Sequence, residues 1–275
     1  MFSFDRNHYK NLLICYEQDF QELDSSWGKQ RNPNSFQQQL LKIKDDLSFN
    51  ERIIEELEIP FEWSSISIKD LQNFCERENS IIKKVIAIFA WGGMNEKHFV
   101  SCLSGRKASK SKELNRYVFQ MNNERIYANY KDLFILLQHI QDHNLSREDI
   151  FRLFLDLNLF CCKIAYFTKL MFFLSPKRNW CYILDQWTGR SVNLLLDNKE
   201  NLIKMNVNSK YNKKYVNDKN DEQTYVKFCS VIEELSIKIS KDLNIEFKPH
   251  NVEQLLFSRP GPQKLSWRKY VENFG

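Results

Sequence analysis

Apolar residues recur three and four positions apart through most of the chain, interrupted by short polar breaks, and this pattern predicts a series of amphipathic helices. The first runs from Asn7 to Leu23, and a turn-rich segment follows at 24–34. Phe36 to Leu47 is a polar helix with Leu40, Leu41 and Ile43 on one side. Asn50 is placed to cap a helix through Leu57 that Pro60 ends, and Ser67 to cap one through Glu78, with Asp70 at its third position. Ile81 to Trp91 is strongly apolar and stops at Gly92–Gly93, which suits a buried helix with a strand as the alternative. Tyr127 to Gln141 is amphipathic, and Ser146 to Leu157 opens on a cap followed by carboxylates. A bend at 158–162 leads into a second apolar helix, Lys163 to Leu174, stopped by Ser175–Pro176. Asp185 then opens a helix, Asp221 to Leu243 is a long one, and a short one follows Pro249 from His250 to Phe257. The Asn- and Lys-rich stretch 198–220 predicts a long surface loop or short insertion, and the final residues from Trp267 to Phe274 are aromatic and basic.

The fold class implied is mainly α. With 7 Gly and 6 Pro in 275 residues, the chain has fewer turn residues than a doubly wound α/β enzyme usually needs. The length suits one large domain or two intimate lobes: an N-terminal helical region, 1–80, and a core, 81–275, carrying the basic insert 198–220. The apolar run from Leu153 to Leu174 is broken by Asp156, Asn158, Lys163 and Lys169, so no membrane span is expected, and residues 1–8 do not read as a secretory signal. Seven scattered cysteines without a CxxC motif point to reduced thiols in a cytoplasmic protein. His139 and His143 stand four apart with no third ligand evident, so neither a metal nor another cofactor is expected. The net charge of +5 alone identifies no partner.

The sharpest chemical signal is Lys169, followed sixteen positions later by Asp185. Lys169 is flanked by Ala165-Tyr-Phe-Thr168 and Leu170-Met-Phe-Phe173, and partial burial there would lower its pKa and make the amine a nucleophile. Asp185 follows the apolar run Cys181-Tyr-Ile-Leu184 and falls where backbone N–H groups of a helix start would orient it. Each has a blander reading, a snorkelling lysine and an ordinary cap. Trp187 and Arg190 lie within about one and a half helical turns of Asp185. Trp187 is a candidate pocket wall or core residue. Trp27, in a polar-aromatic loop, is a weaker candidate for the pocket than for ordinary surface. WGGMNEK at 91–97 is either a close-approach loop or a simple helix end. Arg106, Lys107, Lys110 and Lys112, interleaved with serines, suit phosphate contacts or a solvated loop.

The stretch AYFTKLMFFLSPKRNWCYILDQWTGRSV, 165–192, resembles the core of the helix-hairpin-helix DNA glycosylases, and is most similar to the bacterial and archaeal 8-oxoguanine glycosylase (OGG-fold) branch. Thr168–Lys169 and Asp185 occupy the places of that family's Thr–Lys dipeptide and carboxylate, and PHNVEQLLFS, 249–258, is similar to its closing helix. The resemblance implies two helical lobes around a DNA-facing cleft. Lys169 would attack the anomeric carbon, and Asp185 would stabilise the oxocarbenium-like sugar and assist proton transfer. The partner implied is double-stranded DNA with a damaged or modified base, bound by a monomer. The base would be 8-oxoguanine or, by likeness to phage-defence glycosylases, a hypermodified phage base such as glucosylated hydroxymethylcytosine. Asn95 or Met94 would fill the gap left by the flipped base, and Arg190 would join the basic residues on DNA. The family hairpin usually carries glycines before the lysine helix. Here 158–165 has none, and Lys163 is the candidate to hold the phosphate by side-chain charge instead. A non-catalytic DNA-binding protein on the same fold and a helical interaction protein remain the alternatives.

Overall fold

The computed structural model describes residues 2–19, 30–45, 47, 49–104, 108–110, 117–119, 126–142, 145–157, 164–175, 181–197, 201–208, 213–258 and 265–275. Among them are thirteen α-helices and two small antiparallel hairpins. The helices are α1 (Arg6–Asp19), α2 (Pro33–Leu41), α3 (Glu51–Glu58), α4 (Ile68–Arg77), α5 (Ile81–Trp91), α6 (Glu96–Ser104), α7 (Ile126–Asp142), α8 (Arg147–Leu157), α9 (Ile164–Leu174), α10 (Gln186–Leu195), α11 (Glu222–Leu243), α12 (Pro249–Phe257) and α13 (Ser266–Phe274). One hairpin joins β1 (Ala108–Lys110) to β2 (Tyr117–Phe119), and the other joins β3 (Met205–Asn208) to β4 (Lys213–Val216). The fold is mainly helical, as its residue pattern implies.

Several helix starts follow from single side chains. Asn50 Oδ1 accepts from Ile53 N at 2.9 Å, Ser67 Oγ from Asp70 N at 3.1 Å, and Ser146 Oγ from Asp149 N at 3.1 Å. Each satisfies an N–H group that the first helical turn leaves without a partner. Other boundaries differ from the sequence pattern. α2 starts early, because Pro33 at its first turn needs no donor and Asn32 caps it, and it ends at Leu41. α1 is described only to Asp19. The main correction concerns 198–220, which holds a paired β-hairpin rather than only a surface loop.

α5 and α9 are apolar on nearly every face and pack against each other. A helix with that composition is stable only when surrounded. α2, α3, α4 and α7 cover α5, and α4, α7 and α8 cover α9. α11 packs on α8 and α12, while α10 packs on α12 and α13, and α1 on α13. Phe151, Phe154, Phe167 and Tyr225 interlock where α8, α9 and α11 meet, with ring centroids 4.5–5.1 Å apart. The predicted bend at 158–162 lies outside the described residues. No helix among the described residues is long and apolar enough to cross a membrane. Cys15, Cys75, Cys181 and Cys229 are buried and take part in no disulfide.

Candidate active site

The segment 181–185 lies between α9 and α10 without helix or strand, and every residue of it is buried. Buried backbone N–H groups need partners, and four side chains supply them in succession. Tyr182 N donates to Tyr225 Oη of α11 at 3.1 Å, and Ile183 N to Glu253 Oε1 of α12. Leu184 N donates to Thr168 Oγ1 of α9 at 3.2 Å, and Asp185 N to Thr188 Oγ1 of α10 at 2.9 Å. Four helices thus hold four consecutive peptide groups. Thr168 Oγ1 also donates to Ile164 O at 2.7 Å, so the Thr–Lys pair has a structural purpose. The threonine ties α9 to the residue before Asp185, and the neighbouring lysine lines a cavity with that carboxylate.

Lys169 and Asp185 line one cavity of about 380 Å³, together with Gly92, Ala165, Tyr166, Gln186, Asn206, Tyr215, Val216 and Asp218. Lys169 is 5% exposed and Asp185 8%. Lys169 Nζ donates to Ala165 O at 2.7 Å and lies 5.6 Å from the Tyr166 ring centroid. Burial pushes its pKa below the ordinary lysine value, while Asp185 and Glu253 pull in the other direction. Asp185 Oδ1 accepts from Trp187 N at 2.7 Å and Thr188 N at 3.1 Å, closing a capping box with Thr188. The helix start therefore fixes the carboxylate beside the lysine.

Gly92 shows how closely the lysine is fitted. A Cβ there would lie 2.7 Å from Lys169 Cδ and 3.0 Å from Cε. Gly92 ends α5 with helical φ and ψ, so alanine suits its backbone, and the nearest obstruction is a flexible stem, with Ile88 O next at 3.2 Å. Gly92→Ala is therefore expected to fold normally and displace the amine. Displacement by about 1 Å lowers a positioned reaction by on the order of a hundredfold. Comparing covalent trapping on abasic DNA with the thermal midpoint checks this, and an unchanged trapping rate would refute the fit.

Glu253 has no local signal in the chain. It is 0% exposed, its Oε1 holds Ile183 N–H, and its Oε2 has no hydrogen-bond partner among the described residues. Burial raises its pKa from the ordinary 4.5 to about 8, Asp185 adds to the rise, and the Ile183 N–H and Lys169 oppose it. A carboxyl raised in this way favours the folded state most below pH 4.5 and loses that contribution as pH climbs through about 8. Glu253→Gln keeps the acceptor and cannot ionise. Its stability is expected to match the wild type at acid pH and exceed it by a few kcal/mol above pH 8, the scale set by a shift of this size. Denaturant midpoints from pH 5 to 9 test this, and parallel curves for the two proteins would rule it out.

The other sequence candidates separate. Trp187 does not line the cavity: the Arg268 guanidinium covers its ring at 3.6 Å and that of Arg190 lies at 4.8 Å, a packing that favours a desolvated cation over an aromatic face. Arg190 Nη2 donates to Val271 O at 2.8 Å and Gly275 O at 3.2 Å, which engages it with the backbone around α13. Asn95 is half-buried, and its Oδ1 accepts from Lys97 N at 2.9 Å at the start of α6. Met94 is fully buried. Trp27, Arg106, Lys107, Lys112 and Lys163 lie outside the described residues, and Lys110 is described only as backbone in β1. Among the described residues no group of three or more His, Cys, Asp or Glu is arranged to hold a metal.

Residues 55–257 match the family described as "Putative 8-oxoguanine DNA glycosylase OGG-like protein". No curated protein and no solved structure matches the chain.

Proposed function

The chain belongs to the 8-oxoguanine DNA glycosylase OGG-like family, and from that premise we propose that it flips a damaged or modified base out of duplex DNA and cleaves the bond joining the base to its sugar. The observation that carries this reading is the shared cavity of Lys169 and Asp185. An amine engaged only with phosphate would gain nothing from burial, because phosphates stay on the DNA surface. A nucleophile gains a lowered pKa.

In this mechanism neutral Lys169 Nζ attacks C1′. The C1′–N bond to the base breaks, and its electron pair leaves with the base, which takes up a proton. The lysine nitrogen loses its protons as the sugar ring opens to a Schiff base, and the ring oxygen becomes a hydroxyl. Water then hydrolyses the imine and leaves an abasic site, or elimination of the 3′ phosphate gives strand cleavage. Asp185 faces the positive charge that builds on the sugar, where a fixed carboxylate is most useful. Extraction from the stack precedes these steps, because the reacting carbon is out of reach inside the duplex. Asn95 and the basic residues Arg106, Lys107, Lys110, Lys112 and Lys163 are assigned to the DNA, and the protein acts as a cytoplasmic monomer without a cofactor.

The substrate follows the family's description, an oxidised purine. A screen of duplexes carrying 8-oxoguanine or glucosylated hydroxymethylcytosine tests the proposal. Release of the first assigns the protein to repair, and release of the second to defence against phage. DNA binding without base release or a borohydride-trapped adduct on any duplex would make it a non-catalytic binder.

A further inference from the structure

The β3–β4 hairpin mixes strand formers (Val207, Tyr215, Val216) with Asn and Lys, which strands disfavour, and side-chain amides explain how it holds its place. Asn193 of α10 pairs with the backbone of Ile203, accepting from its N and donating to its O, both at 2.8 Å. Asn220 does the same for Lys204, accepting from its N at 2.8 Å and donating to its O at 2.9 Å. Ile203 is fully buried and sits over Gly189, where a Cβ would meet Ile203 Cγ2 at 3.2 Å. The base of the hairpin is thus fixed to α10, the helix that Asp185 caps.

The register determines which residues this anchoring presents. Asn206 pairs with Tyr215, and Val207 with Lys214. Side chains on neighbouring positions of a strand point to opposite faces. Asn206 and Tyr215 line the cavity of Lys169 and Asp185, joined by Val216 at the end of β4, while Val207 and Lys214 line a second hollow behind the hairpin. The cavity face carries an aromatic ring that is 41% exposed, an amide, and the exposed carboxylate of Asp218 just beyond β4. Asn206 Oδ1 accepts from Asn217 Nδ2 at 2.8 Å, which orients the amide so that its N–H groups are the end left to a ligand.

We propose that this hairpin face is the specificity wall of the site, with Tyr215 as a stacking surface for the extruded base and Asn206 and Asp218 reading its edge. The proposal rests on the glycosylase reading above. It also restricts the substrate class. A carboxylate beside an amide donor selects a heteroaromatic base that presents N–H or O–H donors next to an acceptor, and it repels an anionic adduct. The hairpin is joined to Asp185 through α10, so the wall and the catalytic carboxylate move as one unit.

The test compares two duplexes, one carrying the base released by the wild type (8-oxoguanine or glucosylated hydroxymethylcytosine) and one carrying an abasic site at the same position. Tyr215→Ala is expected to lower single-turnover base release by about ten- to a hundredfold, the range for loss of one stacking partner. Asp218→Asn and Asn206→Ala are expected to lower it as well. Borohydride trapping on the abasic duplex, where no base remains to be read, should fall far less. Equal losses on both duplexes, or undiminished base release, would overturn the assignment of the wall. Absence of both base release and trapping in the wild type would instead overturn the glycosylase reading.

Discussion

Lys169→Gln is expected to abolish covalent trapping on abasic DNA and to leave the thermal midpoint at or above that of the wild type. Glutamine keeps most of the stem that packs against Gly92, and its amide can still donate to Ala165 O, but it has no nucleophilic nitrogen. Loss of a sole nucleophile lowers the rate by on the order of a thousandfold or more. Stability should not fall, because a cation held in a buried site carries a desolvation cost that a neutral amide avoids. The two readouts together separate chemistry from folding. Trapping that survives in Lys169→Gln would place the nucleophile on another amine. Lys84 is the other buried lysine among the described residues, and it does not line the cavity, so Lys84→Gln serves as the control.

How much of this site is legible in the chain depends on whether its determinants are local. The caps at Asn50, Ser67, Ser146 and Asp185 are local, because each side chain serves an N–H group two or three positions on. Lys169 is legible for a similar reason: a charge set among apolar residues on every helical face cannot reach solvent freely. The basis of the Thr168–Leu184 bond is not local, and a sixteen-residue separation only hints at it. Glu253 is harder still. Within NVEQLLF it reads as one polar position of an amphipathic helix, and only the tertiary fold brings it to Ile183, seventy positions away. The hairpin fails for another reason. β3 alternates as Met-Asn-Val-Asn, but over only four residues, β4 reads Lys-Lys-Tyr-Val without alternation, and the amides of Asn193 and Asn220 that anchor the base of the hairpin at Ile203 and Lys204 leave no apolar signal in the sequence. Asparagine-rich sequence thus resembles a loop even where its amides build a wall.

Asp185→Asn is expected to lower base release by on the order of a hundred- to a thousandfold, with DNA affinity and folding preserved. This substitution isolates charge unusually well. Asparagine is as good a helix cap as aspartate, and its Oδ1 can accept from Trp187 N and Thr188 N as the carboxylate does. α10 and the hairpin anchored to it should therefore keep their positions, and the missing element is the negative charge facing the sugar. The same change has a second consequence of opposite sense. Asp185 favours the protonated form of Lys169, so its removal lowers the lysine pKa further and makes the neutral amine available at lower pH. In a pH–rate profile of single-turnover base release, the plateau should drop while the midpoint of its acid limb moves to lower pH. A lowered plateau with an unmoved midpoint would mean that Asp185 acts on the sugar without setting the charge state of Lys169. An undiminished plateau would mean that the carboxylate is a helix cap and no more. A fall in thermal midpoint would show that the cap had not survived the substitution, and Asp185→Ser, which also caps without charge, then provides the same comparison.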